Sequence, residues 1–217
     1  MTNSEVGICN LALSLLNVNP ITSIEVPDTA NEELCALWYD QTRQEALRRQ
    51  PWNFAVKRVV LAASSEQPAF GDGTFFNLPS DFIRMKWINE SNLRLNDAVP
   101  HGRYSIEGGK ILLSNRLSGD TAELRLVYIS DFKTVSRMDA AFIGYFTHLL
   151  AQNLAYPVTQ SNTTVERTNS LMERAETIAR AIDGQDNPPK IIERSRAIAA
   201  RNSRGRVINL DGRILFD

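Results

Sequence analysis

The cysteines and histidines of this 217-residue sequence, the softest metal ligands and the commonest nucleophile and base types, number four: Cys9, Cys35, His101 and His148. A zinc site needs four nitrogen or sulfur ligands, normally supplied as closely spaced pairs. No such pair occurs here, so the spacing predicts no metal centre. Each cysteine lies among apolar residues, where a free thiol behaves as a small hydrophobe. A disulfide is not expected in a reducing compartment. His148 falls inside an apolar helical pattern, and no Ser or Cys nucleophile can be assigned to it. The sequence has no Walker loop, no GxSxG, no HExxH and no dinucleotide fingerprint. Carboxylates are numerous, but no hydrolytic pair stands out among them. These residues predict neither an enzyme nor a cofactor.

Charge and hydropathy narrow the class further. The formal net charge is -1, which is not the strongly basic balance of a general nucleic-acid binder. Hydrophobic residues make up 43%, as in an ordinary globular protein. No apolar run approaches the ~20 residues of a membrane span. The opening MTNSEVG lacks the basic-then-apolar order of a signal peptide, so the chain is expected to be made and folded in the cytoplasm.

The elements that would position any site can be read in order. Thr2-Asn3-Ser4-Glu5 has capping-box spacing, with Thr2 as the acceptor. The helix that follows runs to about Asn17. Val6, Ile8, Cys9, Leu11, Ala12, Leu13, Leu15 and Leu16 leave it almost no polar face, so burial is expected, in its own core or between subunits. Thr29-Ala30-Asn31-Glu32 repeats the box and opens a second helix to about Gln50, with Cys35, Trp38, Tyr39, Thr42 and Ala46 as its stripe. Arg43, Arg48 and Arg49 near its end suit the macrodipole, or else a charged contact with a neighbouring subunit.

Beyond the second helix the period changes from helical to alternating. Residues 64–73 read as a loop, and Phe75 to Pro79 and Phe82 to Ile88 as short strands. Glu107-Gly108-Gly109-Lys110 is a hairpin turn between Tyr104-Ile106 and Ile111-Ser114. Leu117 to Asp120 is another turn, and Ala122 to Tyr128 a half-buried strand. Asp139 caps a helix to about Tyr156 that carries Phe142, Ile143, Phe146, Leu149, Leu150 and Leu154. Pro157 to Asn162 is a link. Thr163-Thr164-Val165-Glu166 opens a last helix, ending at Gly184, with Val165, Leu171, Met172, Ala175, Ile178, Ala179 and Ile182 as its apolar face. The expected fold is α+β: an antiparallel helical bundle from 1–63 and 137–189, an inserted antiparallel β unit at 64–136, and an extended C-terminal arm at 190–217.

The stretch from Trp38 to Ala63 organises this plan. Pro51 stops the second helix, and Trp52-Asn53-Phe54-Ala55 places two large aromatic rings directly after the break. Trp38, Trp52 and Phe54 are therefore expected to form a core elbow where several elements meet. The same stretch carries a resemblance. Ile8 to Leu13, Tyr39-Asp40-Gln41-Thr42-Arg43, Pro51-Trp52-Asn53-Phe54-Ala55-Val56-Lys57-Arg58 and Leu78-Pro79-Ser80-Asp81-Phe82-Ile83-Arg84 stand in an order and spacing similar to those of the tail tubular protein A family. That family supplies the head-to-tail adaptor of short-tailed bacteriophages. The resemblance covers roughly residues 3–90 well, and the helices after Asp139 more loosely. It implies a virion tail protein that forms a twelve-subunit ring between the portal protein and the tail nozzle protein. It further implies a DNA channel through the lumen without sequence-specific binding, and tail fibres as a possible neighbour.

The last segment differs in kind. Lys190, Arg194, Arg196, Arg201, Arg204, Arg206 and Arg213 face only Glu193, Asp211 and Asp217, seven basic against three acidic side chains, a local charge of +4. Val207-Ile208-Asn209-Leu210, Asp211-Gly212 and Arg213-Ile214-Leu215-Phe216 spell a hairpin, which is marginal in water by itself. The arm can be read as a solvated tail, as a nucleic-acid contact or as a docking segment. The apolar tip favours docking, because a solvated tail does not need Ile, Leu and Phe at its end. On the resemblance, Arg194, Arg196, Arg201, Arg204, Arg206, Val207, Ile208, Leu210, Ile214, Leu215 and Phe216 would be the portal-docking arm. Competing readings are a cell-wall-degrading virion enzyme, a head-completion connector of a long-tailed phage, and a non-specific DNA binder. The β unit argues against the connector, which suits a smaller all-helical chain.

Overall fold

The structure, a computed structural model, describes residues 4–88, 104–114 and 123–186. They belong to one compact unit of mixed helix and strand. The elements are helices α1 (Glu5–Leu15) and α2 (Ala30–Arg49), strands β1 (Val56–Ala62), β2 (Thr74–Asn77), β3 (Phe82–Ile88), β4 (Tyr104–Glu107), β5 (Lys110–Leu113) and β6 (Glu123–Ser130), and helices α3 (Ala140–Thr159) and α4 (Asn162–Asp186). The α+β class follows directly.

α3 lies at the centre and contacts α1, α2 and α4. It is buried on nearly every side, through Phe142, Ile143, Tyr145, Phe146, Leu149, Leu150, Leu154 and Ala155. Asp139 caps it, its Oδ1 accepting from the N–H of Ala141 at 2.8 Å. The helix runs past the expected Tyr156 to Thr159, with Pro157 inside its last turn. Proline there removes one intrahelical bond. Packing overrides that loss, because Val158 beyond it still rests on the core. Gln160 closes the helix at φ +50, its N–H bonded to the Tyr156 carbonyl.

Three cap and boundary readings need correction. The first helix is capped by Ser4, whose Oγ accepts from Gly7 N–H at 3.0 Å; Thr2 lies outside the described residues. Its surface is not wholly buried either, since Leu11 points outward, 51% exposed, while Ile8, Cys9, Ala12 and Leu13 are covered. α4 starts at Asn162, with the Ser161 hydroxyl accepting from Thr164 N–H, so Thr163 is inside the helix and not its cap. It also continues through Gly184 to Asp186.

The strands form two antiparallel three-stranded sheets, β1-β6-β3 and β2-β5-β4. The β4–β5 hairpin turns on Gly108 and Gly109, at φ +55 and +74, the left-handed pair that a two-residue turn of this hand requires. One face of β1-β6-β3 shares a core with the second sheet, built from Leu124, Leu126 and Tyr128 with Phe76, Ile111 and Leu113. The strand Val56–Ala62 falls in the stretch assigned from sequence to the helical body. It belongs to a sheet because its partner, β6, lies about seventy residues further on, and only the pairing Val56↔Ile129 to Ala62↔Glu123 reveals it. The predicted turn at Leu117 to Asp120 lies outside the described residues.

Candidate interaction surfaces

Of the three expected elbow residues, Trp52 is buried, while Phe54 and Trp38 are half-buried. Trp52 is 1% exposed, and its indole N–H donates to the Ala46 carbonyl at 2.8 Å. Its ring stacks on Tyr145 at 5.8 Å and meets Phe142 edge-on at 5.1 Å. Phe54, half-buried, packs edge-to-face on Phe142 and Phe132. Trp38 is half-buried at the margin of this core, and Tyr39 beside it takes the inner position against Phe146. Asn53 ties the elbow to α4, its N–H and side-chain amide both donating to Asp183.

Arg43 does not belong to the dipole cluster in which the sequence places it. Its side chain is 1% exposed and crosses to the end of β6. Nη1 donates to Asp131 Oδ1 at 2.5 Å and to the Phe132 carbonyl at 3.1 Å, while Nε and Nη2 hold Asp40. Burial works against the guanidinium charge, but the Asp131 and Asp40 carboxylates more than offset it and raise its pKa. Arg48 reaches the Ile83 carbonyl at 2.8 Å, and Arg84 returns to the Arg48 carbonyl at 3.1 Å. Lys57 pairs with Asp81 at 2.5 Å, and the Tyr128 hydroxyl donates to the same carboxylate at 2.8 Å. Burial and that bond push the Tyr128 phenol up to about 12. Thus Tyr39–Arg43, Pro51–Arg58 and Leu78–Arg84, far apart in sequence, meet at one junction between helices and sheet.

A second polar hub fixes the loop before α2. The Glu32 side chain completes the Thr29 capping box and also accepts from the backbone N–H groups of Thr22, Ser23, Asp28 and Thr29 and from the Thr22 hydroxyl. The Thr22 and Asp28 N–H donors lead in holding its pKa down, to about 2.

Of the residues first considered for chemistry, Cys9 and Cys35 lie together and His148 is on α3. Cys9 and Cys35 are buried free thiols, and the hydrogen bond between them, with burial, pushes the Cys9 thiol up and keeps it inert. His148 is half-buried on α3, and burial lowers its pKa. His101 lies outside the described residues. Among the described residues, no group of three or more His, Cys, Asp or Glu could hold a metal ion, and no helix is long and apolar enough to cross a membrane.

Among the described residues, Leu11, Phe70, Ile106 and Tyr156 stand exposed, and three further surfaces also expose apolar side chains. On α4, only Met172 and Ala179 of the expected apolar face are buried. Leu171, Ile178 and Ile182, with Ala175 between them, form a seam at 4-3-4 spacing, 36 to 53% exposed. That is the spacing of a packing seam, which is why the sequence reads it as core. The second surface is the outer face of β1-β6-β3, away from the shared sheet core. Its near end, Ile129 and Val56, packs on the helices. Its far end carries the row Arg58–Val127–Trp87 and then Val60–Arg125. Trp87 is 51% and Val60 55% exposed. Arg48 and Arg84 lie exposed beside it. The third is the outer side of the loop before α2 and of α2 itself, where Val26 and Leu37 are each 68% exposed among Glu25, Asp28 and Glu33. A sequence signal for this surface exists: residues 1–42 contain no lysine or arginine but have Glu5, Glu25, Asp28, Glu32, Glu33 and Asp40. The whole-chain charge hides that segregation.

The arm residues Arg194, Arg196, Arg201, Arg204, Arg206, Val207, Ile208, Leu210, Ile214, Leu215 and Phe216 lie outside the described residues. No protein-family model and no curated protein matches the chain.

Proposed function

We propose that this chain is a structural protein of a phage virion, a head-to-tail adaptor that forms a ring of about twelve copies between portal and nozzle. The closed symmetry of such rings multiplies modest contacts. In this reading the four helices are the antiparallel bundle of the ring, the six strands are an inserted β unit turned toward another tail component, and residues 190–217 are the arm that docks on the portal.

The observation that carries the reading is the junction. The segments similar to the adaptor family are not scattered over the surface. Ile8 to Leu13 supplies Ile8, Cys9, Ala12 and Leu13 to the helical core, Arg43–Asp131 and the Arg84–Arg48 carbonyl bond join helix α2 to the sheet side, and Lys57–Asp81 ties β1 to the start of β3. The resemblance therefore falls on what builds this architecture, and the exposed apolar surfaces supply what an assembling subunit needs. Removing residues 190–217 is expected to leave a folded protein that no longer joins the portal ring of the same phage, read by co-sedimentation. A truncated protein that still joins it would overturn the arm assignment.

A further inference from the structure

We propose that Cys9 of α1 and Cys35 of α2 are a redox pair: a hydroperoxide oxidises them to a disulfide that staples the two helices together. The inference goes beyond the adaptor reading and does not need it. That reading supplies only the occasion, since a virion leaves the reducing cytoplasm in which a dithiol persists.

The two thiols are brought together by bonds that do not involve them. Asn10, next to Cys9, clasps Ile21: its Nδ2 donates to the Ile21 carbonyl at 3.0 Å, and its Oδ1 accepts from the Ile21 N–H at 2.7 Å. Glu32, one turn before Cys35, holds the adjoining residue, accepting from the Thr22 N–H at 3.0 Å. α1 at Cys9 and α2 at Cys35 are therefore fixed to the same two residues of the loop between them. Both side chains enter one core, each 0% exposed, and Cys9 donates a hydrogen bond to Cys35. Thiols already in contact need only a rotation of their side chains and a small approach to reach bonding distance, about 2 Å.

The same hydrogen bond sorts the roles. Donation from Cys9 lowers the Cys35 pKa, against the burial that raises it, so Cys35 is the first of the two to reach the thiolate form. Its sulfur attacks a peroxide oxygen: S–O forms, O–O breaks, and the departing hydroxide takes up the Cys35 proton as water. Cys9 then loses its proton and attacks the sulfenic sulfur of Cys35. S–S forms, S–O breaks, and the second hydroxide leaves with that proton as water. The two thiols lose two electrons in all, and one hydrogen peroxide becomes two waters. Burial sets the rate. In the closed structure an oxidant cannot reach either sulfur, so the reaction waits on local opening of α1, the shortest of the four helices at eleven residues. The same burial shields the finished staple from reductant.

The test uses folded full-length protein and hydrogen peroxide. After exposure, wild type denatured for thiol counting is expected to have lost both free thiols, and non-reducing peptide mapping to give one Cys9–Cys35 link within the monomer. The linked protein should melt about 5 °C or more above the reduced protein, because the link constrains the unfolded chain. In Cys9→Ser protein nothing resolves the sulfenic acid, so dimedone should trap it on Cys35. Cys35→Ser protein should show several-fold less label on Cys9. Thiols that survive prolonged peroxide in folded wild type, a link formed between chains, a melting temperature unchanged by the link, or equal labelling of the two variants would overturn the proposal. The wild-type thiol count decides it even where a serine variant fails to fold. Portal binding plays no part in these readouts, so failure of the adaptor reading leaves them intact.

Discussion

Around the first half of α3 the protein hides Trp52, Phe142, Tyr145 and Phe146 from water, whereas the far end of sheet β1-β6-β3 keeps Trp87 half in it. Trp52 and Trp87 make the comparison plain. One is 1% exposed, with its indole N–H bonded and rings on two sides; the other is 51% exposed and covers only Val127 within its row. The helical body is held by aromatic packing. The β unit has a smaller core and leans on polar clamps, Lys57–Asp81–Tyr128 within it and Arg43–Asp131 at its root. The body carries the stability, and the sheet is presented by it.

The contrast can be broken at several points. Trp52→Ala should cost about 3–5 kcal/mol, the loss expected for a large buried ring, and lower the calorimetric melting temperature of the whole unit. A loss under about 1 kcal/mol would mean that the elbow is not the centre of the core. Arg43→Ala leaves Asp131 without its main cation and should cost about 3 kcal/mol, at the low end for a buried pair because Asp131 is partly exposed. If sheet and helices then melt in two steps, by probes that follow each, the joint is what couples them.

Leu113→Ala opens the small sheet core and should cost about 2–3 kcal/mol in chemical denaturation. Amide exchange should rise in β2, β4 and β5 while α3 stays protected. Equal loss of protection in both would contradict the division.

Acid tests the Glu32 hub. Its pKa in the folded protein is held at about 2, below the ordinary 4.5. Its contribution is therefore complete above about pH 4.5 and is lost as pH falls toward 2. The difference in urea midpoint between wild type and Glu32→Gln should be constant from pH 7 to 5 and shrink below pH 4. A difference that grew in acid would reverse the sign of the argument. The smallest effect belongs to the outer surface: Leu37→Ser, at a position 68% exposed, should change stability in urea by under about 0.5 kcal/mol.

Much of the fold was legible because it is local. The Thr29–Glu32 box, the Asp139 cap, the two-glycine hairpin and the Phe142–Leu154 face of α3 each follow from residues close in sequence. What could not be read depends on distant partners. Arg43 looks like a helix-end cation until Asp131, 88 positions on, is placed beside it. The stretch Val56–Ala62 shows a strand only against β6. Leu171, Ile178 and Ile182 have the spacing of core residues, and spacing does not say whether the covering partner is in the same chain. The acidic bias of residues 1–42 is concealed by a net charge of -1, which averages over segments of opposite sign.

The most direct test of the adaptor account is the native mass of the full-length protein, alone and mixed with the portal ring of the same phage. The account predicts that the chain joins the portal in about twelve copies, the closed ring that the family resemblance implies. A protein that stays unassociated in both conditions, with residues 190–217 intact, would contradict it.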